Sequence, residues 1–436
     1  MSDITSVTKS DNKRAQRAAA GAMVGTSLEF YDFYIYATAS ALVFGHIFFP
    51  ENANPFIGTL SSFAVFGVGF LARPLGAVFF GHIGDRLGRK HALIISLIVM
   101  GSATFLIGFL PTYQTIGFGA PVLLVLLRLI QGFAIGGEWG GAALISTESA
   151  PKGRANFFGA FTQMGSPAGT VLSSLMFALV GLGGQDTLQE WAWRIPFWFA
   201  GVLVIVGLVL RLKLEESPVF KAAVEKEEDK PKLPVISVFR FEWRTVIAGV
   251  LLVAHGIGGF YVTGTLFLSY ATETGGLASS PLLVAQAIAA ATSFISFPFV
   301  AALADKVGPK IVVLWSTLLI VLCAAPHFLV VGTQNYVLIT LMLIVTQTIG
   351  AGAWACIPGF LSTSFNASSR YTGVSVTYQI ASILFGGILP AVGAAILAAT
   401  NGQVIGPVLI LVFLAAIVAI GAIATAKINA RRSQHE

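Results

Sequence analysis

Ionisable and polar side chains occur within an otherwise strongly apolar stretch, residues 128–141. At about 100° per residue, three of them fall on one helix face: Arg128, Gln131 and Glu138. Three glycines form a ridge on another face, where a neighbouring helix can approach closely: Gly132, Gly136 and Gly140. A charged side chain in hydrocarbon costs roughly 2.5–3.5 kcal/mol on insertion scales, so it needs a partner, a water-filled cavity or a function. The pattern favours a functional transmembrane helix, and a structural Arg/Glu pair is the alternative.

A second apolar segment, near the N-terminus, also carries acids on one face. Glu29, Asp32 and Tyr36 are spaced i, i+3 and i+7, which places them on the same side of a helix. Burial in a low dielectric disfavours the charged form of a carboxylate, as a proton carrier that works near neutral pH requires. We therefore expect proton coupling to use Glu29, Asp32 and Glu138, with Arg128 beside them. In the alternative, Glu29 or Asp32 is merely paired to a buried arginine.

Another arginine, Arg73, lies in an apolar segment 12 residues before Asp85. At 1.5 Å per residue this is roughly 18 Å along a helix, which places Arg73 near the middle of the bilayer. The following Pro74 can kink the helix and open space beside the guanidinium. An arginine presents a planar fork to two carboxylate oxygens, so Arg73 is predicted to anchor an anionic substrate. The alternative is that Arg73 only neutralises Glu29 or Asp32.

The composition indicates where these helices lie. Hydrophobic residues make up 56% of the 436 residues and charged residues only 11%, against about 25% in a soluble domain. The net charge of +6 could suggest nucleic acid, but the basic residues sort by membrane side, so no nucleic-acid partner is expected. Cys323 and Cys356 lie in apolar segments without metal-ligand spacing, and neither a metal nor a cofactor is predicted. We therefore predict a polytopic helical membrane protein.

Twelve apolar segments are long enough to cross roughly 30 Å of hydrocarbon. With the N-terminus placed in the cytoplasm, all 26 Lys and Arg residues except Arg73, Arg128 and Arg194 fall in predicted cytoplasmic segments, as the positive-inside rule requires. We predict an all-α, multi-pass protein of the cytoplasmic membrane with both termini in the cytoplasm and no cleaved signal peptide. The predicted spans are 20–48, 57–82, 91–111, 120–147, 156–180, 193–213, 246–271, 281–303, 311–331, 336–361, 372–398 and 403–426.

The chain repeats itself after about half its length. Gly84–Lys90, between spans two and three, returns in weaker form as Ala304–Lys310 between spans eight and nine. Two halves of six spans each follow from this repeat. The predicted domains are an N-terminal six-helix bundle over 1–213, a cytoplasmic linker over 214–244 and a C-terminal six-helix bundle over 245–436.

The repeated loop carries an acid, several bases and glycines in a tight turn. Gly88 and its neighbours permit the turn, and Asp85 can cap the adjoining helix and pair with Arg86 or Arg89. Such a charge network can latch one conformation of two moving bundles.

The loop is similar to the signature loop of the major facilitator superfamily. The resemblance covers the whole chain in span count, repeat and loop positions. In the second copy, around Asp305, Ala301 replaces the leading glycine and Pro309 replaces an arginine. This departure predicts that the second latch is the weaker one.

Five longer motifs occur in order along the first half: Leu28–Tyr34, Gly67–Gly76, Arg128–Gly141, Trp193–Phe197 and Leu214–Pro218. With them the chain resembles the metabolite:proton symporters of that superfamily, which include shikimate, 2-oxoglutarate, citrate and proline/betaine permeases, and among these the shikimate-type members most. The resemblance implies Arg194 as a second substrate contact, although its place near the external end of span six suits a gate equally well. The acid that such permeases carry shortly before Arg370 is absent, which leaves the second-half cytoplasmic charge relay without its carboxylate.

The second half has no Asp, Glu, Lys or Arg in its apolar stretches, so proton coupling is assigned to the first half. It offers neutral groups that can hydrogen-bond or stack on a substrate, with membrane-interface or helix-packing roles as the alternative. Trp354 is one of these groups. The predicted substrate-binding residues of the whole chain are Arg73, Gln131, Arg194, His255, Tyr261, Tyr378 and Gln379.

We predict a secondary transporter that works by alternating access and imports a small organic acid, such as shikimate or a related carboxylate, together with protons. An osmolyte symporter for proline or betaine is the first alternative. A membrane-embedded enzyme is the second alternative. Against it, no Ser/His/Asp grouping, His-x-x-x-His pair or phosphate-binding glycine loop is recognised, and the glycine-rich segments lie inside hydrophobic helices. The expected partners are the substrate, protons and membrane lipid, and the protein is expected to be a monomer without a cofactor.

Overall fold

The computed structural model describes residues 9–50, 55–87, 89–136, 138–148, 150–151, 153–212, 234–366, 369–432 and 434. At residues 81–87, 89–90 and 138, among other helical positions, only the backbone is described. Most of the predicted linker, residues 213–233, lies outside the description, so the predicted domain boundaries stay predictions.

Each of the twelve predicted spans corresponds to a helical segment of the structure. By length and hydropathy, nine helices of the described residues could cross a membrane, two shorter apolar helices accompany them, and the N-terminal helix completes the set. The helices are Lys9–Ala39 with Ser40–Phe44 and Gly45–Ile47 (span one), Pro55–Leu87 (two), Arg89–Ile107 (three), Gly119–Ile135 and Glu138–Glu148 (four), Ala155–Val180 (five), Arg194–Leu212 (six), Trp243–Ala254, His255–Gly259, Tyr261–Leu266 and Phe267–Glu273 (seven), Ser279–Val307 (eight), Pro309–Leu329 (nine), Tyr336–Ala355 and Ile357–Ser362 (ten), Arg370–Ala381, Ser382–Ile388 and Leu389–Ala399 (eleven) and Ile405–Arg432 (twelve).

Short helices connect several of the spans: Tyr113–Ile116, Gly181–Gly183, Gly184–Thr187, Leu188–Ala192, Pro234–Phe241 and Val330–Thr333. Large apolar side chains remain exposed on the outer faces of the spans, as a lipid-facing surface requires. Examples are Leu75, Val78, Phe118, Phe299 and Leu322. We call the end of the bundle that holds the Asp85 loop the predicted cytoplasmic end, and the opposite end the predicted external end.

Neighbouring spans pack in the same pattern in both halves. Span one packs on span five, and span two on span four; span seven packs on span eleven, and span eight on span ten. The glycine ridge of span four produces the closest of these contacts. Gly132 faces the backbone of Gly69, and Gly136 faces the carbonyl of Arg73, with no room for a Cβ at either glycine. The predicted close helix contact is therefore confirmed.

Spans seven and eleven change from α- to π-helical geometry in their middle, at His255–Gly259 and Tyr261–Leu266 in span seven and at Ser382–Ile388 in span eleven. A π-helical turn leaves a carbonyl without its usual helical donor, and in a membrane interior another group must satisfy it. In span seven, Gln286 Nε2 donates to the Gly264 carbonyl at 2.8 Å, and His327 Nε2 lies 3.0 Å from the Thr263 carbonyl. Spans eight and nine thus hold the irregular part of span seven.

Candidate functional site

A small cavity lies between the two halves, at the level where the π-helical segments occur. Its volume of about 20 Å³ has room for one or two water molecules. Spans one and two form one wall, and spans seven, ten and eleven form the other. The lining residues are Glu29, Phe30, Phe33, Tyr34, Phe70, Arg73, Gly256, Ile257, Phe260, Tyr261, Trp354, Tyr378 and Ser382.

The first wall contributes both charged groups of the lining, Arg73 and Glu29. Arg73 is buried, and its guanidinium lies over two phenylalanine rings, 4.4 Å from the centre of Phe33 and 4.1 Å from that of Phe70. The Arg73 Nε atom has no hydrogen-bond partner among the described residues. A buried guanidinium whose Nε has no partner keeps a donor available for an anionic ligand.

The second wall is neutral and carries hydrogen-bond donors. Tyr261 and Tyr378, both predicted from the sequence, line the cavity. Trp354 and Ser382 line it as well, and Trp354 Nε1 and Ser382 Oγ are buried without a partner among the described residues. Ser382 was not recognised from its sequence context, because a serine in an apolar helix commonly bonds its own backbone. An unsatisfied buried donor beside a cavity marks a place for a ligand oxygen or a water.

Asp32 and Arg128 lie behind the first wall, in a buried chain of hydrogen bonds. Thr104 Oγ1 donates to Asp32 Oδ2 at 3.0 Å, and Gln131 Nε2 donates to Thr104 Oγ1 at 2.8 Å. Arg128 donates from its NH1 group to Gln131 Oε1. Gln131 therefore belongs to this network and does not line the cavity, so its predicted substrate contact stays a prediction. Thr104 was not recognised from the sequence, since a lone threonine in span three shows no pattern.

The remaining contacts of Arg128 fix its guanidinium. The NH2 group donates to the Phe66 carbonyl at 3.0 Å, and the guanidinium lies 4.1 Å from the ring centre of Tyr36 and 4.7 Å from that of Phe66. Phe66 belongs to span two, the helix that holds Arg73. The network therefore joins spans one, three and four to the helix that presents the cavity arginine.

Arg194 and His255 do not line the cavity either, and their predicted binding roles stay predictions. The NH1 group of Arg194 donates to the carbonyls of Gly108 and Leu110 at 2.9 and 2.7 Å, so Arg194 caps the end of span three. His255 is buried beside Gly259, and its Nδ1 has no partner among the described residues.

Contacts between the two halves close the cavity toward the predicted cytoplasmic end. Trp139 of span four and Tyr378 of span eleven stack with ring centres 3.8 Å apart and planes at 10°. Trp139 Nε1 also donates to Gln163 Oε1 at 3.0 Å. Gln379 Nε2 donates to the Gly136 carbonyl at 2.6 Å, so Gln379 forms part of this closure.

The second latch joins the halves through Asp305. Its Oδ1 accepts hydrogen bonds from Asn156 N and Nδ2 at 3.0 and 2.8 Å, and its Oδ2 accepts one from Phe157 N at 3.0 Å. Asp305 at the end of span eight therefore caps the N-terminus of span five, where a negative charge is favoured.

The side chains of the first latch, Asp85, Arg86 and Arg89, lie outside the described residues, as does the whole of Gly88. The side chain of Glu138 lies outside the description as well, although its backbone begins the helix Glu138–Glu148. The predicted roles of these residues stay predictions.

The acid missing before Arg370 is supplied from elsewhere in the chain. Glu242, which precedes span seven, accepts from Asn366 N at 3.1 Å and from Ser369 Oγ at 2.7 Å, and pairs with Arg432 at 2.9 Å. Arg370 itself forms an ion pair of 3.6 Å with Glu148 of the first half. The start of span eleven thus has carboxylates from two distant segments, which no local sequence motif shows.

Toward the predicted external end, spans two, seven and eleven close the cavity. Thr59 Oγ1 of span two donates to Glu273 Oε1 of span seven at 2.7 Å. Deeper in, Gly67 meets the backbone of Gly387, and a Cβ at Gly67 would lie 2.5 Å from the Gly387 carbonyl oxygen. Phe66 packs edge-on against Tyr261, with ring centres 5.2 Å apart. The cavity is therefore closed toward both ends.

Sequence comparison connects the chain to transporters. The profile of the Major Facilitator Superfamily matches residues 22–386. The Escherichia coli K12 shikimate transporter is 41% identical over 387 residues, 88% of each chain. The inner membrane metabolite transport protein YhjE of the same strain is 38% identical over 378 residues, 85% of this chain and 86% of YhjE. The Salmonella typhimurium LT2 proline/betaine transporter is 33% identical over 401 residues, 89% of this chain and 79% of that protein.

Solved structures share the fold. The proton:xylose symporter XylE bound to 6-bromo-6-deoxy-D-glucose aligns with a TM-score of 0.71 and 16% identity over 96% of both chains. The partially occluded, inward-open XylE from E. coli aligns with a TM-score of 0.68, also at 16% identity, over 96% of this chain and 98% of that one. The predicted all-α major facilitator fold is confirmed, and the relatives are transporters and not enzymes, as predicted. This chain is a multi-pass membrane transporter that belongs to the Major Facilitator Superfamily.

Proposed function

We propose that the protein is a proton-coupled symporter that imports a small organic acid by alternating access. One observation carries this proposal. The cavity between the halves presents a buried arginine, Arg73, against a neutral wall with the unsatisfied donors of Trp354 and Ser382. A carboxylate that carries hydroxyl groups matches both walls, because the guanidinium binds the carboxylate and the neutral wall binds the hydroxyls.

The relatives support this substrate class. The Escherichia coli relative is named a shikimate transporter, and the XylE structures are titled as those of a proton:xylose symporter. A cavity of about 20 Å³ is too small for such an acid, so binding must separate the halves around the cavity. The contacts that close the cavity toward each end provide two sets of interactions that can break in turn.

We assign proton coupling to the first half. Asp32 is 3% exposed and is connected to Arg128 through Thr104 and Gln131, away from the cavity. Glu29 lies in the cavity lining with Arg73, where a bound carboxylate would compete with it for the guanidinium. Asp32 can therefore bind and release a proton without contacting the substrate, whereas Glu29 senses whether the substrate is present. Glu138 is retained as a third candidate.

Transport by proteoliposomes tests the proposal. We expect shikimate to accumulate when the outside is made acidic, and we expect Asp32→Asn to abolish this accumulation while labelled shikimate still exchanges across the bilayer. Exchange survives because it needs no net proton movement. Asp186→Asn, on the short helix Gly184–Thr187 at the predicted external end, is the matched control and should behave as wild type. Accumulation by Asp32→Asn at the wild-type level would remove Asp32 from coupling, and loss of exchange would mean that Asp32 serves substrate binding.

The aromatic character of the cavity favours a second candidate substrate, a zwitterionic osmolyte. The seven phenylalanine and tyrosine rings of the lining could bind a quaternary ammonium group while Arg73 binds its carboxylate. The Salmonella typhimurium relative is named a proline/betaine transporter. Separate uptake assays with labelled glycine betaine and labelled shikimate distinguish the two, since an osmolyte carrier would take up betaine and leave shikimate outside.

A further inference from the structure

We propose that Thr104 is a positioning residue for proton coupling, whose hydroxyl connects the protonation state of Asp32 to Gln131 and Arg128. The proposal rests on the proposed function, in which Asp32 binds the transported proton. Thr104 lies on span three and is fully buried, as is Gln131. Its oxygen is 3.0 Å from Asp32 Oδ2 and 2.8 Å from Gln131 Nε2, so it stands between the acid and the amide.

The direction of each hydrogen bond in this chain is fixed by chemistry. A guanidinium has only donors, so the Gln131 atom facing Arg128 must be the carbonyl oxygen Oε1. The amide nitrogen Nε2 then faces Thr104, whose oxygen must accept from it. The single proton of the Thr104 hydroxyl is thereby left for an acceptor on the other side.

Two acceptors compete for that proton at equal distance. Thr104 Oγ1 is 3.0 Å from Asp32 Oδ2 and 3.0 Å from the Met100 carbonyl of its own helix. A carboxylate is the stronger acceptor while it is charged, so the hydroxyl turns to Asp32. When Asp32 takes up a proton from the medium, its charge is lost and the Met100 carbonyl becomes competitive. No covalent bond other than the new O–H of Asp32 forms or breaks in this step.

Several charged and titratable groups influence the charge of Asp32, and with it the choice of acceptor by the Thr104 hydroxyl. Glu29 and Tyr31 belong to the same helix, and Arg128 of span four acts on Asp32 through its charge. Span two contributes Arg73, whose guanidinium lies over the Phe33 ring. Span six has Arg194 at its far end, on the carbonyls that end span three. Span five has no titratable residue, and span four begins its second helix with Glu138 and ends it with Glu148.

Arg128 transmits the change to the cavity side. Its NH2 group holds the Phe66 carbonyl of span two, and Gly69 of the same span is so close that a Cβ there would lie 3.1 Å from the guanidinium. Span two carries Arg73 one turn further along the helix. A shift in how strongly Gln131 holds Arg128 therefore acts on the helix that presents the substrate anchor.

Removing the hydroxyl tests the proposal. Thr104→Val keeps the shape but deletes the donor to the carboxylate, so the proton on Asp32 is held to higher pH. We expect the midpoint of pH-driven shikimate uptake to move upward by about 1 pH unit, as a lost hydrogen bond to a charged group implies. Substrate affinity in exchange at symmetrical pH should stay unchanged, because Thr104 does not line the cavity. Thr104→Ser keeps the hydroxyl and should restore the wild-type midpoint.

The matched control is Thr170→Val in span five. Thr170 is also buried, but its hydroxyl donates to the Ser166 carbonyl and to no acid. We expect no shift in the midpoint for this variant. If Thr104→Val does not fold, Thr104→Cys, a weaker donor of similar size, should give a smaller shift in the same direction.

Three outcomes would overturn the inference. A Thr104→Val or Thr104→Cys profile that superimposes on wild type, while Asp32→Asn has lost pH-driven uptake, leaves the proposed function intact and removes Thr104 from it. An equal shift in Thr170→Val would show a general packing effect. Normal pH-driven uptake by Asp32→Asn would instead overturn the role of Asp32, and the inference about Thr104 with it.

Discussion

Two regions of the molecule meet at the cavity with different chemistry. On the first-half side, Glu29 and Arg73 face the cavity, and the chain of side chains from Asp32 to Arg128 lies behind them. On the second-half side the lining is neutral, and Trp354 Nε1 and Ser382 Oγ are buried without a hydrogen-bond partner among the described residues. The charged groups of the cavity lining thus come from the first half, and the neutral hydrogen-bond donors come from the second. Changes in the first wall should affect coupling and anion binding, whereas changes in the second should affect affinity alone.

The buried polar groups behind the two walls differ in the same way. In the first half, side chains bond to each other, as Thr104 does with Asp32 and Gln131. In the second half, Gln286 Nε2 and His327 Nε2 bond to backbone carbonyls of the π-helical part of span seven, and His327 Nδ1 lies 3.2 Å from Thr346 Oγ1. A network of side chains can change with protonation, while bonds to a backbone carbonyl hold a shape. We therefore expect the first half to respond to protonation and the second half to keep its shape.

The largest effect should come from the first wall. Arg73→Lys keeps the charge but loses the planar fork, so we expect substrate affinity to fall at least tenfold, which is about 1.4 kcal/mol. Calorimetry on the purified protein measures it, with a thermal unfolding scan to check that the protein is folded. Arg240→Lys, on the helix Pro234–Phe241, is the matched control, because its guanidinium also lies over a phenylalanine ring but outside the cavity, and it should bind as wild type. A lysine variant that binds equally tightly would contradict the two-point anchor and favour a neutral or zwitterionic substrate.

The contact between the halves should give an intermediate effect. Asp305→Asn removes the charge at the N-terminus of span five and replaces the acceptor for Phe157 N by an amide NH2 group. Since such a charge contributes about 1 kcal/mol, we expect the state closed at the predicted cytoplasmic end to lose about fivefold in population. Alkylation of a Ser375→Cys reporter, in a background without Cys323 and Cys356, measures the opening because Ser375 lies against Gly140 across the two halves.

Lys306→Gln changes the charge of the neighbouring exposed residue and serves as the control for Asp305→Asn. We expect its alkylation rate to match wild type. Equal rates for Asp305→Asn and wild type would show that Asp305 does not hold the two halves together. By analogy we expect Asp85→Asn to impair transport and leave substrate binding largely intact.

The smallest effect should come from the second wall. Trp354→Phe keeps an aromatic ring but deletes the indole N–H, so we expect about a threefold loss of affinity for shikimate, with the pH midpoint of uptake unchanged. Trp198→Phe also deletes a buried, unpartnered N–H, but its ring packs against Phe109 away from the cavity. This control should bind as wild type. A shifted pH midpoint in Trp354→Phe would break the separation between the two walls.

The spans were predictable because hydrophobic length and charge placement determine them directly. A helix needs about 20 apolar residues to cross a bilayer, and lysines and arginines are expected in the cytoplasmic loops. Every predicted span therefore corresponds to a helix of the structure. The π-helical segments at 255–259, 261–266 and 382–388 were not predictable. Their stability depends on side chains of other spans, such as Gln286 and His327, and a local pattern carries no information about such partners.

The candidate site was predicted where a residue is exceptional by itself. A lone arginine or carboxylate in hydrocarbon is conspicuous, and Arg73 and Glu29 do line the cavity. Residues whose role depends on contacts with distant parts of the chain were not predicted. Thr104 and Ser382 are ordinary in an apolar helix, and the carboxylate of Glu242 reaches Ser369 from 127 positions away in the chain. Arg194 was conspicuous as well, but its partners are carbonyls of span three, which spacing could not show.

The contact between Gly67 and Gly387 has a consequence for protein engineering. At Gly67 the backbone of span two lies against the backbone of Gly387, and a methyl group at residue 67 would lie 2.5 Å from the Gly387 carbonyl oxygen. Gly67→Ala thus acts as a wedge that holds spans two and eleven apart, without altering a residue of the cavity or of the Asp32 network. It offers a genetically encoded means to enrich an outward-open conformer for structure determination or antibody selection, in place of a chemical inhibitor.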